Sequence, residues 1–123
     1  MQIRIYYEDT DMGGIVYHTN YIKYCERARS EFFFAKESSP TQNGCHFVVK
    51  NIQCDFIASA RLGDVIEVKS TLLSSKAASA VLNQSIYLQE KKIFDMEILL
   101  VFVCGEGKIS KIPTHLKEMF SSF

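Results

Sequence analysis

The sequence predicts an α+β domain in which one long helix is wrapped by a curved antiparallel sheet of about five strands. Three observations predict it. Only one segment, about Asn20 to Glu37, carries apolar residues at helical spacing. From Cys45 onward the period changes to two and persists through four stretches. Short polar links separate those stretches, which implies antiparallel pairing.

Residues 2 to 8 are β-branched and aromatic and read as a first short strand. Residues 9 to 19 hold adjacent glycines and read as a structured loop. In the helix, Asn20 is a good N-cap type, and Tyr21, Tyr24, Cys25, Ala28, Phe32 and Ala35 recur on one face. Pro40 bars its continuation. Ile52, Cys54 and Phe56 then alternate with polar neighbours, as do Ile66 and Val68, Leu82 and Ile86, and Phe94, Met96 and Ile98. The links Arg61–Asp64, Ser74–Lys76, Glu90–Lys92 and Gly105–Lys108 predict a meander of four strands, with a possible helical tail after Pro113. A five-stranded sheet twists and so curls around the helix. Beyond Ile98 both faces of the last strand are apolar, which predicts a covered outer face, with a second subunit as the expected cover.

A chain of 123 residues suits one domain, here spanning 1–123. Fourteen basic and fourteen acidic residues cancel, so no electrostatic feature points to nucleic acid. The first residues lack the basic-then-apolar order of a signal peptide, and the longest apolar run, Ile98–Cys104, is too short for a membrane helix. Cys25, Cys45, Cys54 and Cys104 are widely spaced with no CxxC pair. These features predict reduced thiols and a cytoplasmic location.

The densest polar cluster is Glu8-Asp9-Thr10-Asp11, followed by Gly13-Gly14 and by His18 at the helix entrance. A carboxylate serves as base or nucleophile, glycines admit close backbone approach, and a helix start offers free N–H groups to a developing oxyanion. The competing reading is a turn whose aspartates cap loop amides. A DxD phosphatase start at Asp9-Thr10-Asp11 conflicts with the antiparallel pattern that follows. His18, His46 and His115 have no partner at ligand spacing, so no metal is expected. Cys45 and His46 are neighbours on one strand and point to opposite faces.

The run Tyr7-Glu8-Asp9-Thr10-Asp11-Met12-Gly13-Gly14-Ile15-Val16-Tyr17-His18-Thr19-Asn20-Tyr21, followed by Glu26-Arg27-Ala28-Arg29, resembles the signature of hotdog-fold acyl-CoA thioesterases. Within the 4-hydroxybenzoyl-CoA thioesterase family it is most similar to the YbgC-type, Tol–Pal-associated branch. Arg61-Leu62-Gly63-Asp64 and Ile112-Pro113 extend the likeness over essentially the whole chain. The resemblance implies that Asp11 is the catalytic carboxylate, as nucleophile or as base for water. It implies that the backbone N–H near His18 polarises the thioester carbonyl, with the imidazole also involved, and that Tyr7 lines the pocket. Gly13, Gly14, Tyr17 and Arg61 are the implied substrate-binding positions. Lys69, Lys76, Lys91 and Lys92 are further candidates for the coenzyme A phosphates.

No cofactor is implied, coenzyme A being part of the substrate. The implied substrate is an acyl-CoA, aliphatic rather than aromatic, with acyl carrier protein as a possible partner. The implied assembly is a homo-oligomer, a dimer whose sheets join edge to edge or a dimer of dimers, with sites at subunit interfaces. A non-catalytic acyl-thioester or acyl-carrier-protein binder, an envelope-associated interaction module and a hydratase on the same fold are the competing functions.

Overall fold

The computed structural model describes all residues from Met1 to Phe123. Strand β1 (Gln2–Arg4) leads into a 3-10 turn (Tyr7–Asp9) and helix α1 (His18–Ala35). Strands β2 (Cys45–Phe56), β3 (Val65–Ser75), β4 (Ser79–Leu88) and β5 (Lys91–Cys104) follow. A short β6 (Lys108–Ile109) and helix α2 (Thr114–Phe120) close the chain.

Every pairing is antiparallel, and the strand order is β1-β3-β4-β5-β2, with β6 added against β5. The meander therefore covers β3 to β5 only. Strand β2 sits beyond β5 rather than beside β3, with Ile52 opposite Ile98 and Phe56 opposite Phe94. Its link to β3 runs over residues 57–64, not just the predicted turn at Arg61–Asp64. Crossing three inter-strand gaps requires roughly 14 Å, which that link spans. This crossover leaves β2 as a long free edge.

Side chains alternating along the strands build the inner face. Ile66, Val68, Leu82, Phe94, Met96, Ile98 and Phe102 are buried there, and α1 closes the layer with Tyr21, Tyr24, Cys25, Ala28 and Phe33. Phe33, rather than the expected Phe32, is the fully buried phenylalanine, because α2 packs against it through Phe120 at 5.6 Å between ring centroids. Phe32 instead stacks on Phe123 at 4.0 Å. The buried Gln84 on β4 bonds the Cys25 carbonyl and the Ser70 hydroxyl, so no unpaired amide is left under the helix.

Three further expectations change. The first strand ends at Arg4 instead of residue 8, since the chain turns into the 3-10 segment. Cys45 and Cys104 are not free thiols: they face each other across β2 and β5 and are joined in a disulfide, with Cα atoms 4.1 Å apart. Sequence spacing cannot show a pairing between residues 59 positions apart. Lastly, Val101 and Val103 on the outer face are already nearly buried in the single chain, flanked by Ser79 and by β6. No helix is long and apolar enough to cross a membrane.

Candidate active site

The loop between the 3-10 turn and α1 is ordered by its own hydrogen bonds. Asp9 Oδ2 accepts from the Tyr6 amide at 2.8 Å, and the Asp9 carbonyl accepts from the Tyr17 amide and the Asn20 side chain, both at 2.9 Å. Thr10 bridges Val16, Ile15 bridges Arg61, and the Val16 amide donates to the Ala60 carbonyl. The loop is thus a small folded unit fastened to the β2–β3 link. Asp9 serves that role through Oδ2 and its main-chain carbonyl.

Asp11 is only half absorbed. Its Oδ1 accepts the Gly13 amide at 2.8 Å, while its amide donates to the Ile15 carbonyl and its carbonyl accepts from Gly14. Oδ2 makes no hydrogen bond within the protein. Gly14, at φ +77°, has the conformation that favours glycine, and a Cβ at Gly13 would come within 3.2 Å of Asp11 Oδ1 and press on it.

Helix α1 begins at His18 rather than after Asn20. Tyr17 occupies the cap position, and no side chain caps the helix. Asn20 lies inside the first turn, where its side chain is spent on Asp9. The first amides of the helix therefore keep donors free, at the positive end of the helix dipole.

Asp11 and His18 line one cavity of about 300 Å³ together with Tyr21, Phe56, Ile57 and Ser59. The His18 ring lies 4.7 Å from that of Tyr17 and edge-on to Phe56 at 5.9 Å. Tyr21 forms the inner wall. It stacks on Phe94 at 5.5 Å, its hydroxyl accepts the Ala60 amide at 3.0 Å, and burial pushes its pKa up. Its proton stays in place at neutral pH. Behind it the Tyr24 hydroxyl is buried with no hydrogen-bond partner, and burial, with Asp9 nearby, raises its pKa as well.

The remaining positions scatter. Tyr7 is 83% exposed on the 3-10 turn and does not line the cavity. Tyr17, half exposed, packs against the His18 ring and does not line the cavity. The Arg61 guanidinium lies beside Gly14, 3.9 Å from where a Cβ would sit. Lys69 pairs with Glu67 at 3.8 Å and covers the Tyr87 ring, and Lys92 pairs with Asp95 at 3.5 Å. Lys76 lines a separate cleft with Lys50 at the far end of the sheet, and Lys91 is exposed. Of the basic residues considered, Arg61 alone adjoins the Asp11 loop. Sequence reasoning missed Phe56 and Ile57, which come from the end of β2; their exposure at 48% and 52% despite apolar character is the structural signal.

A family model described as thioesterase-like superfamily matches residues 6–120. The chain is 43% identical to the acyl-CoA thioesterase YbgC of Helicobacter pylori, with 99% of each chain covered. It is 36% identical to the acyl-CoA thioester hydrolase YbgC of Escherichia coli, covering 82% of this chain and 78% of that one. Among solved structures, a probable thioesterase from Bartonella henselae superposes with a TM-score of 0.87 at 28% identity, over 92% of this chain and 97% of that one. With the match running nearly end to end and the strand–helix–sheet order agreeing, the chain belongs to the thioesterase-like superfamily of hotdog proteins and, within it, to the YbgC family.

Proposed function

We propose that this thioester hydrolase cleaves acyl-coenzyme A, with Asp11 as the catalytic carboxylate. One observation carries the reading. Asp11, whose Oδ2 is uncommitted, and His18, at the uncapped start of α1, line the same cavity, which puts a carboxylate and helix-start amides beside one space. In the base form, Oδ2 takes a proton from water as the water oxygen adds to the thioester carbon. The carbonyl oxygen becomes an oxyanion held by helix amides near His18, the C–S bond breaks, and the proton passes to the thiolate. In the nucleophile form, Oδ2 adds to the thioester carbon, the C–S bond breaks to release the thiolate, and water then hydrolyses the resulting mixed anhydride to the free acid and the Asp11 carboxylate. A thiolate leaves easily, so one carboxylate and an oxyanion donor suffice without a metal or a triad.

Tyr17, Gly13, Gly14 and Arg61 contact the substrate in this reading, with Tyr7 reaching it only across the rim. Arg61 is the favoured partner for a coenzyme A phosphate, because Lys69 and Lys92 are engaged elsewhere. The aromatic wall of Tyr21 and Phe56 suits an aliphatic acyl group. The free β2 edge, with Val48, Val49 and Phe56 exposed, supports edge-to-edge dimerisation, which would enclose the site. A cytoplasmic setting stays part of this reading, but the Cys45–Cys104 disulfide removes the reduced-thiol argument for it. An acyl-carrier-protein thioester is the alternative substrate.

The test is a panel of acyl-CoA esters of graded chain length with release of free thiol as the readout. Turnover peaking on aliphatic chains is expected. Binding of the panel without thiol release from any member would instead establish a non-catalytic binder.

A further inference from the structure

A second cavity lies apart from the Asp11 site, between the later half of α1 and the start of β2. It holds about 280 Å³, and its floor is apolar, built by Phe33, Phe47, Leu100 and Phe120. Arg29 lines it from the helix side. Eleven residues separate Arg29 from His18 along α1, which places the two cavities about 16 Å apart in one protomer.

The situation of Arg29 is unusual. Its guanidinium, with five N–H donors, makes a single hydrogen bond, Nη1 to Gln84 Oε1 at 2.8 Å. It takes part in neither of the two ion pairs of the chain. Glu26, one turn earlier and also on the cavity wall, accepts from Ser30 at 3.0 Å and is itself exposed. Burial lowers the pKa of Arg29, yet an arginine stays cationic at neutral pH. A largely enclosed cation that forms no ion pair, with Glu26 acting on it only through space, is costly to keep. Gln84 offers the guanidinium its Oε1 alone, since its amide nitrogen is a donor, engaged with Cys25 and Ser70.

We propose that this cavity binds a monocarboxylate with an apolar tail, the carboxylate paired with the Arg29 guanidinium and the tail lying on Phe33, Phe47 and Phe120. Charge complementarity selects the head, since guanidinium and carboxylate match in a planar, two-bond geometry. The aromatic floor selects the tail. Free acids of this kind are what thioester hydrolysis releases, so the cavity is placed to sense product; the binding itself does not depend on the thioesterase reading.

The test is calorimetric titration of the full-length protein with sodium octanoate and, separately, with 1-octanol. Octanoate should bind once per chain and at least tenfold more tightly than the alcohol. Arg29→Gln should weaken octanoate at least tenfold, Arg29→Lys should recover only part of it, because the charge returns without the two-bond geometry, and Asp11→Ala should leave it unchanged. Thr41→Trp, at an exposed lining position outside the β2 edge, should block both compounds and serves if Arg29→Gln does not fold. Absence of octanoate binding, equal binding of acid and alcohol, or undiminished binding by Arg29→Gln would each overturn the proposal. So would loss of binding in Asp11→Ala, which would assign the anion to the other cavity.

Discussion

The amide of Gly13 donates to Oδ1 of Asp11 at 2.8 Å and thereby divides the carboxylate into a held oxygen and a free one. The held oxygen fixes the side chain in a tight Asx turn. The free oxygen is the one available for chemistry. The reading of this aspartate as a loop cap is met by one oxygen, and the proposed catalytic role needs only the other.

Removing the free oxygen should abolish catalysis and spare the fold. Asp11→Asn and Asp11→Ala are each expected to lower kcat/KM at least a hundredfold, on the order of 3 kcal/mol of barrier. Far-UV circular dichroism and the oligomer size should match the wild type. Undiminished turnover in either variant would remove Asp11 from the mechanism.

Gly13 and His18 separate positioning from chemistry. A Cβ at Gly13 presses on Asp11 Oδ1 at 3.2 Å, so Gly13→Ala should lower kcat with little change in KM. His18→Ala keeps the backbone amide and should cost less than Asp11→Ala. A loss equal to that of Asp11→Ala would show that the imidazole itself takes part.

The disulfide predicts a thiol count. Unfolded without reductant, the protein should titrate two thiols, Cys25 and Cys54, and four after dithiothreitol. Cys25 should resist alkylation in the native state, because burial pushes its pKa up to about 12. Cross-linking residues 59 apart stabilises by about 4 kcal/mol in the chain-entropy account, so Cys45→Ser with Cys104→Ser should lower the urea midpoint markedly. Four thiols before reduction would contradict the bond.

Acid stability carries the signature of Asp95. The Ser85 hydroxyl at 2.6 Å, with Asn83 and Lys92, holds its carboxyl below the ordinary value of 3.8. A depressed carboxylate stabilises above its unfolded pKa, and that contribution fades as pH falls through the folded value. Asp95→Asn should therefore be destabilised at pH 7 and converge with the wild type as pH falls below 3.8 and through the depressed folded value. A constant gap from pH 7 to pH 2 would refute this assignment.

Local and periodic features were legible before any coordinates. The helical spacing of Tyr21, Tyr24, Cys25 and Ala28 and the alternation of Phe94, Met96 and Ile98 are imposed by backbone geometry, so the long helix and the inner sheet face were readable. The Asp11–Gly14 loop was readable too, because its residue types act over a few positions. Its approach to His18 was expected from their closeness in sequence.

What tertiary structure alone decided are the relationships between distant residues. The crossover that places β2 outside β5 determines that Phe56 and Ile57 wall the Asp11 cavity. The same register brings Cys45 opposite Cys104, and helix packing leaves Arg29 over a cavity with Gln84 as its one partner. A period of two or of 3.6 tells which face a residue takes, but not which strand lies beside it. Strand order follows from burying all apolar faces at once, and that is a property of the whole chain.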